Sequence, residues 1–470
     1  MTTRSFSIAD QTAFAALSGD FNPLHIDAVA ARRLVFGRPV VHGIHLLLWA
    51  LDTALDSGLD STSGQGGRLA ALKVAFKSPV GVAEPVTCGA AQPTASGLRI
   101  VLDLAGRPAT VIDVTLAAAA PALAPPDRNP PREECRVLTA AELPTAQGAL
   151  ELMVDGGQVR ALFPRLAALL PPEQLAVLLA TTRLVGMECP GLHSLYSTLA
   201  LKFAVPEAGA PLRLGWRVRR FDPRTSYVDI AVDGAGAGGQ ITAFLRPAPR
   251  AQDGFAALKQ HVAPGAYAGR RALVIGGSRG LGEVCAKLLA AGGADVRLTY
   301  FRGAADAEAV AAEIVGGGGR AGARPFNVLG PAEDLAAALE PDWRPSHVYY
   351  FATPPIFVAA RKKFSADLFS AFCAYYVTGF VNLVKALEAG ADESLEVFYP
   401  SSTAVDDPPP EMGEYAAAKA AGEMAARFLG NANPKLTVRI RRLPRLPTDQ
   451  TATLFAVDTA DPVSLLLDIL

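Results

Sequence analysis

An antiparallel α+β unit present twice, followed by an α/β domain on a doubly wound parallel sheet, is the architecture this 470-residue sequence predicts. Three observations predict it. A helical run leading into several alternating strands occurs once before residue 120 and again after residue 135. The phrases LKVAF and LALKF fall at the same place in each copy. Beyond residue 265 strands alternate with helices, and such a βαβ series demands a parallel sheet.

The first copy has a helix over Ile44–Leu55 and strands over Leu69–Phe76, Glu84–Ala90, Leu98–Leu104 and Thr110–Leu116. The run IHLLLWAL is apolar nearly all round, so this helix should lie buried. Alternation such as Thr110-Val111-Ile112-Asp113-Val114 gives each strand one face for that helix. The second copy repeats the order: a helix over Pro172–Thr181, then strands Leu195–Phe203, Leu212–Phe221, Tyr227–Val232 and Gln240–Leu245. A sheet wrapped on one long helix describes a hot-dog fold, and two in tandem make a double hot-dog. The third segment places strands at Ala272–Ile275, Asp295–Tyr300, His347–Phe351, Leu395–Tyr399 and Leu436–Arg441. The fold class is therefore an α+β double hot-dog followed by an α/β Rossmann domain. Ala118–Arg132, rich in Ala and Pro, and Pro247–Gly269, loop-like around one helical patch at Phe255–Gln260, read as linkers. They leave domains over residues 1–120, 135–250 and 265–470.

Half of the residues are apolar and 19% are charged, which suits a buried globular core and excludes a disordered chain. A net charge of −1 argues against a nucleic-acid partner. Cys88, Cys135, Cys189, Cys285 and Cys373 are scattered, without a C-x-x-C pair, so neither a disulfide framework nor a zinc site is indicated. MTTRSFSIADQ has no apolar signal region, and the longest largely apolar run, Ile44–Leu51, is far short of a membrane span. A cytoplasmic protein without membrane attachment is expected.

Residues 18–43 read SGDFNPLHIDAVAARRLVFGRPVVHG. Asp20 and His25 lie five apart around an Asn-Pro turn that can swing both toward one cleft. Hydrating an enoyl thioester requires one group to activate water and one to protonate the α-carbon. A carboxylate and an imidazole sharing a water can do both. The amide of Gly43, opening a buried helix, suits the charge that develops on the thioester oxygen. Alone, D-x-N-P-x-x is more often a capped turn with a packed histidine. The later F-G-R-P-x-x-H-G changes that balance: from Phe14 to Gly43 the sequence resembles the MaoC-like, R-specific enoyl-CoA hydratase family, and in outline as far as Leu116. The resemblance implies Asp20 and His25 as the catalytic pair, Asn22 as a positioning residue and Gly43 as oxyanion donor. His42 is expected to shape the turn, and His45 to pack or line the cleft. The second copy has VGMECPGLHSLYS, in which His193 and Ser194 lack a D-x-N-P-x-H partner. The resemblance gives it a non-catalytic role, completing the sheet and shaping an acyl tunnel.

After the strand ALVI comes GGSRGLG, in which Gly276, Ser278, Arg279, Gly280, Leu281 and Gly282 form a turn into an Ala-rich helix. Backbone amides there can meet a pyrophosphate. The second strand ends in Tyr300-Phe301-Arg302 without an acid for a ribose 2′-hydroxyl. Arg279 and Arg302 offer charge for a 2′-phosphate, so NADPH is favoured over NADH. Asn327 stands where an adenine-contacting Asp is expected. Tyr415 and Lys419 in YAAAK share a helical face, and the lysine charge should lower the tyrosine pKa. Ser402, thirteen residues earlier at a strand end, can hold the same carbonyl oxygen. From Arg271 to Thr448 the sequence resembles short-chain dehydrogenases/reductases, the β-ketoacyl reductase branch in particular. The resemblance implies a Ser402–Tyr415–Lys419 triad, with Thr448 on the nicotinamide carboxamide. Three departures stand out: FATPPI at Phe351–Ile356 replaces an asparagine-rich turn, Tyr376 stands where the family has an asparagine, and the end at Leu470 leaves no room for a last strand and lid.

Together these readings imply a bifunctional enzyme for acyl-CoA or acyl carrier protein thioesters. NADPH-dependent ketoreduction would be followed by dehydration to the enoyl thioester, in fatty-acid or polyketide-type biosynthesis. The alternatives are a dehydratase with a degenerate scaffolding reductase domain, a β-oxidation-type hydratase/dehydrogenase, and a non-enzymatic acyl- or nucleotide-binding partner of a synthase complex. Proton-transfer groups at both sites argue against the last. A homo-oligomer through long helices such as Asp367–Ala389 is also open.

Overall fold

The computed structural model describes residues 1–34, 36–54, 67–331, 333–356, 364–389, 393–451 and 457–470. They form two compact units, Met1–Ala248 and the described residues from Pro249 onward. Leu55, the expected end of the first long helix, lies outside them.

The first unit is built on one eleven-stranded antiparallel sheet. Its strands are β1 (Thr2–Ser5), β2 (Arg68–Phe76), β3 (Pro85–Cys88), β4 (Gln92–Thr94), β5 (Gly97–Leu104), β6 (Arg107–Ala117), β7 (Gln147–Glu151), β8 (Ser194–Phe203), β9 (Arg213–Asp222), β10 (Tyr227–Gly234) and β11 (Ala237–Leu245). They run in the order β1-β3-β5-β6-β2-β8-β11-β10-β9-β7, with β4 beside β5. The two copies meet at β2 and β8, where Lys73 faces Ala200 and Val74 faces Leu199. LKVAF and LALKF thus become antiparallel neighbours at the sheet's centre.

Helix α1 (Ile8–Ser18) begins with a capping box between Ser7 and Asp10, which satisfies its first amides. It ends at Gly19 in a left-handed conformation (φ 77°) that releases the chain into the Asp20 turn. The one-turn helix α2 (Pro23–Ile26) follows, and then α3 (Gly43–Ala54). Ile44–Leu51 is buried at every position, as its all-round apolar surface requires. In the second copy α4 (Pro172–Arg183) takes the corresponding place, buried from Glu173 onward. Gln174 on α4 accepts from the Leu69 amide at 2.8 Å and donates to the Leu69 carbonyl at 2.9 Å, pinning the second helix to the first copy's central strand.

The second unit holds a six-stranded, fully parallel sheet of β12 (Arg271–Ile275), β13 (Asp295–Tyr300), β14 (Arg320–Pro325), β15 (His347–Tyr350), β16 (Leu395–Ser402) and β17 (Leu436–Leu443). The order is β14-β13-β12-β15-β16-β17. Strand order reverses between β12 and β15, and ligands of such sheets bind in the crevice beyond the carboxyl ends at that switch point. Helix α5 (Gly280–Ala291) leaves β12 there. Helices α6 (Ala366–Cys373) and α7 (Phe380–Glu388), joined by a π-helical turn at Ala374–Gly379, and α8 (Gly413–Ala432) flank the other half. Ala366–Glu388 is long and apolar enough to cross a membrane, but here it packs against α8.

Candidate active sites

The sharp turn after α1 places Asp20 in the interior, with 1% of its surface exposed. Asn22 caps α2, its Oδ1 accepting from the Leu24 amide at 3.1 Å, and Pro23 supplies the preset first helical residue. One turn of helix then brings His25 back over Asp20. His25 Nδ1 donates to the Val40 carbonyl at 2.8 Å, leaving Nε2 with its lone pair. His42 stacks on the His25 ring at 3.8 Å between centroids. Its own nitrogens meet Gln11 Oε1 at 2.9 Å and the Asp20 carbonyl at 3.0 Å. One Asp20 oxygen and one ring nitrogen of each histidine lie within 4.8 Å of one another.

Burial pushes the Asp20 carboxyl above the usual carboxylate range, against the opposing pull of His25, the Thr182 hydroxyl and the Asn22 amide. Burial likewise holds His25 below its usual value, with Asp20 pulling the other way. Two groups pushed toward each other's range can share one proton. His42 is held well below its ordinary value by burial, so its ring is a neutral prop for His25. His45 lies fully buried, stacked on Phe14 at 4.5 Å and driven down to about 3, a core residue and not a cleft group. Gly43 opens α3, where a first-turn amide has no carbonyl inside the helix to bond. A Cβ there would come within 2.9 Å of the Phe76 ring, so a side chain at this position would force that ring to move.

Sequence reasoning missed what the second copy brings to this site. Thr182, on the last turn of α4, donates its hydroxyl to Asp20 Oδ2 at 2.7 Å. The Asn22 amide nitrogen donates to the carbonyls of Gly186 at 3.0 Å and Leu192 at 3.3 Å. Gly186 packs so closely that a Cβ would stand 2.1 Å from Asp20 Oδ1. These residues lie more than 160 positions from their partners, and no local motif announces them. Ser194 begins β8, and the His193 carbonyl accepts from the Arg246 amide at 2.7 Å.

In the second unit, Gly276 and Gly280 take φ values of +79° and +57°, and the Gly276 amide donates to Thr299 Oγ1 at 3.1 Å. A Cβ on Gly282 would fall 2.3 Å from the Gly276 carbonyl oxygen, so the turn from β12 into α5 presents bare backbone. Ser278 is buried, Leu281 is partly exposed, and Thr448 lies 3.6 Å from where a Gly280 side chain would begin. Arg279 is paired with the buried Asp449 at 3.3 Å, and the Arg302 guanidinium lies over the Phe301 ring at 5.4 Å. Asn327 Oδ1 accepts from the Leu329 amide at 3.1 Å, forming a turn just past β14.

Ser402, at the end of β16, has its hydroxyl close enough to the phenol of Tyr415 on α8 to favour the ionised tyrosine. Lys419, one turn on, does not act on Tyr415 as expected. Its ammonium donates to the Pro400 carbonyl at 2.7 Å and sits 4.0 Å from the Tyr376 ring centroid, against 5.9 Å for Tyr415. Burial raises the Tyr415 pKa, with only the Ser402 bond opposing it, and lowers Lys419 to about 7. Desolvation sets the direction for both groups. Tyr376, in the π-helical turn where the family pattern has an asparagine, donates or accepts with Thr353 Oγ1 at 2.5 Å.

Two family models match this chain. The MaoC like domain model matches residues 2–90, and the short chain dehydrogenase model matches residues 270–451. The (R)-specific enoyl-CoA hydratase of Aeromonas caviae is 41% identical over 87 residues, which make up 18% of this chain and 60% of that relative. Among solved structures, a short chain dehydrogenase from Burkholderia cenocepacia in complex with NADP is 25% identical, with a TM-score of 0.40 over 43% of this chain and 90% of the other. An angucycline C-6 ketoreductase with bound NADP is 21% identical, with a TM-score of 0.40 over 44% and 89%. The Asp20–His25 turn lies within the first matched segment and the glycine turn, Ser402, Tyr415 and Lys419 within the second, so the chain joins a MaoC-like domain at its N-terminal end to a short-chain dehydrogenase domain.

Proposed function

We propose that the protein is a bifunctional ketoreductase/dehydratase of β-oxygenated acyl thioesters, carried on CoA or an acyl carrier protein. The observation that carries this reading is the Asp20–His25 pair, in which the imidazole Nε2 of the half-buried His25 is left free beside a buried carboxyl pushed up in pKa. In the dehydration direction, neutral His25 takes the α-proton through Nε2, and protonated Asp20 gives its proton to the departing β-hydroxyl, which leaves as water. The Gly43 amide faces the thioester oxygen while it carries enolate charge. The two copies form a double hot-dog in which residues 1–120 hold the acid–base pair and residues 135–250 wall it in.

In the residues from 265 to 470, the bare glycine turn fits a dinucleotide pyrophosphate, since a side chain at Gly282 would collide with the turn itself. Gly276, Ser278, Gly280, Leu281 and Gly282 would hold NADPH there, with Arg279 and Arg302 toward a 2′-phosphate, Asn327 toward adenine and Thr448 toward the carboxamide. NADPH supplies hydride when bound. Tyr415 then donates its proton to the carbonyl oxygen held by Ser402, and Lys419 orients the tyrosine end of the site. The reduced product is the substrate of the first unit, which favours consecutive steps in a biosynthetic direction, in the cytoplasm.

Mass spectrometry of a short β-ketoacyl thioester incubated with the full chain and NADPH tests the proposal. A mixture of hydroxyacyl and enoyl products is expected. An untouched ketothioester beside interconverting hydroxyacyl and enoyl thioesters would leave a dehydratase with a scaffolding reductase domain. Inertness toward all three would overturn the proposal.

The wall supplied by the second copy makes its own prediction. Gly186→Ala places a methyl where Asp20 Oδ1 stands, so the carboxyl must shift by about an ångström. Hydration of a but-2-enoyl thioester should fall about 100-fold, with ketoreduction unchanged. Equal loss of both activities would point instead to general unfolding.

A further inference from the structure

Arg246 directly follows β11, and 1% of its surface is exposed, which makes it one of the largest fully buried side chains in the chain. Its Nη2 donates to the Leu192 carbonyl, the same oxygen that accepts from Asn22 Nδ2 at 3.3 Å. Its Nε and Nη1 are buried without a hydrogen-bond partner, as is Nδ1 of the neighbouring His193. Among the described residues no carboxylate pairs with this guanidinium. A buried charge held only by a neutral carbonyl is costly, and folds seldom keep one without use for it. The charge is felt at His25, where it opposes protonation of the imidazole, and at Cys135 and His193. His25 is therefore faced by three groups from three elements: Asp20 from the turn after α1, the stacked His42 from the start of α3, and Arg246 from the second copy.

We propose that Arg246 is a positioning residue of the Asp20–His25 site, contributed by the copy that lacks an acid–base pair of its own. Its guanidinium fixes the Leu192 carbonyl that orients Asn22, and its charge adds to burial in favouring the base form of the imidazole that Nε2 needs for proton abstraction. The sequence motif marks only one copy as catalytic, yet the site needs both. This inference rests on the hydratase reading of Asp20 and His25.

The test uses the full chain and but-2-enoyl-CoA, with hydration followed as loss of enoyl absorbance across a pH series, and with thermal melts alongside. Removing the positive charge from beside the pair lets both His25 and Asp20 keep their protons to higher pH. In Arg246→Gln the acid limb of kcat/KM should therefore move to higher pH, so the rate falls about tenfold at pH 6 and much less at pH 9. Arg246→Lys keeps the charge and loses the planar fork, so its limb should stay in place while kcat drops at every pH. A folded Arg246→Gln protein whose limb has not moved overturns the proposal. So does an Arg246→Lys protein whose limb moves, which keeps the question decidable should the glutamine variant not fold. A wild-type chain that hydrates nothing would instead sink the hydratase reading, a failure visible before any variant is made.

Discussion

Asp20→Asn should slow hydration of an enoyl thioester by about a thousandfold while ketoreduction proceeds unchanged. The substitution keeps the side chain's shape, and its amide oxygen can still accept from the Thr182 hydroxyl 2.7 Å away. What it cannot do is release or take up a proton. The variant should also be no less stable than the wild type at neutral pH. A carboxyl whose folded-state pKa is raised by burial contributes stability below its unfolded value and loses it as pH rises through the folded value. Wherever the pH is high enough to ionise it, the buried Asp20 carboxylate is a liability that a neutral amide lacks, so Asp20→Asn should melt at the same or a higher temperature. That advantage should shrink as the pH is lowered and the native carboxyl takes up its proton. Activity lost together with a lower melting temperature would assign Asp20 a structural role.

How much of this was legible in the sequence depends on how local each feature is. The DFNPLH turn carries its own instructions: a left-handed glycine, an Asx cap, a proline at the first helical position and a histidine one turn on. The glycine turn after β12 and the YAAAK face on α8 are equally self-contained. The long strands showed in their alternation, and the order of helices and strands in the second unit required the parallel sheet that is found. The short edge strands did not show. Arg320–Pro325 reads RAGARP, with neither alternation nor β-branched residues, and is a strand only because β13 offers it hydrogen bonds. Thr2–Ser5, Gln92–Thr94 and Gln147–Glu151 are likewise made by their partners. Thr182, Gly186 and Arg246 escaped for a related reason, since their meaning exists only once β2 and β8 have joined the two copies. The reversal at Tyr415 and Lys419 is different in kind. The spacing was right, but the sign of the effect depended on how deeply the pair is buried, which no spacing reports.

That reversal shapes what Tyr415→Phe should do. Ketoreduction should fall about a thousandfold or more, with NADPH binding by fluorescence titration little changed, because the variant loses only the hydroxyl that reaches the carbonyl oxygen. Tyr415 is 8% exposed and pushed up by burial, so it stays a protonated donor throughout the physiological range. Lys419 is the member of the site that titrates there. Burial brings its ammonium, which donates to the Pro400 carbonyl and lies near the rings of Tyr376, Tyr399 and Tyr415, down to about 7. A lysine with a lowered pKa is charged below that value and neutral above it. The kcat/KM for reduction should therefore bend downward near pH 7 in the wild type, and not near the ordinary lysine range. Tyr376→Asn should put a polar group beside the ammonium, ease its desolvation and so move that bend to higher pH. A profile that stays flat to pH 9 in both proteins would mean that the aromatic ring around Lys419 leaves the chemistry alone, and that Tyr415 and Ser402 carry the reduction without help from the lysine's charge.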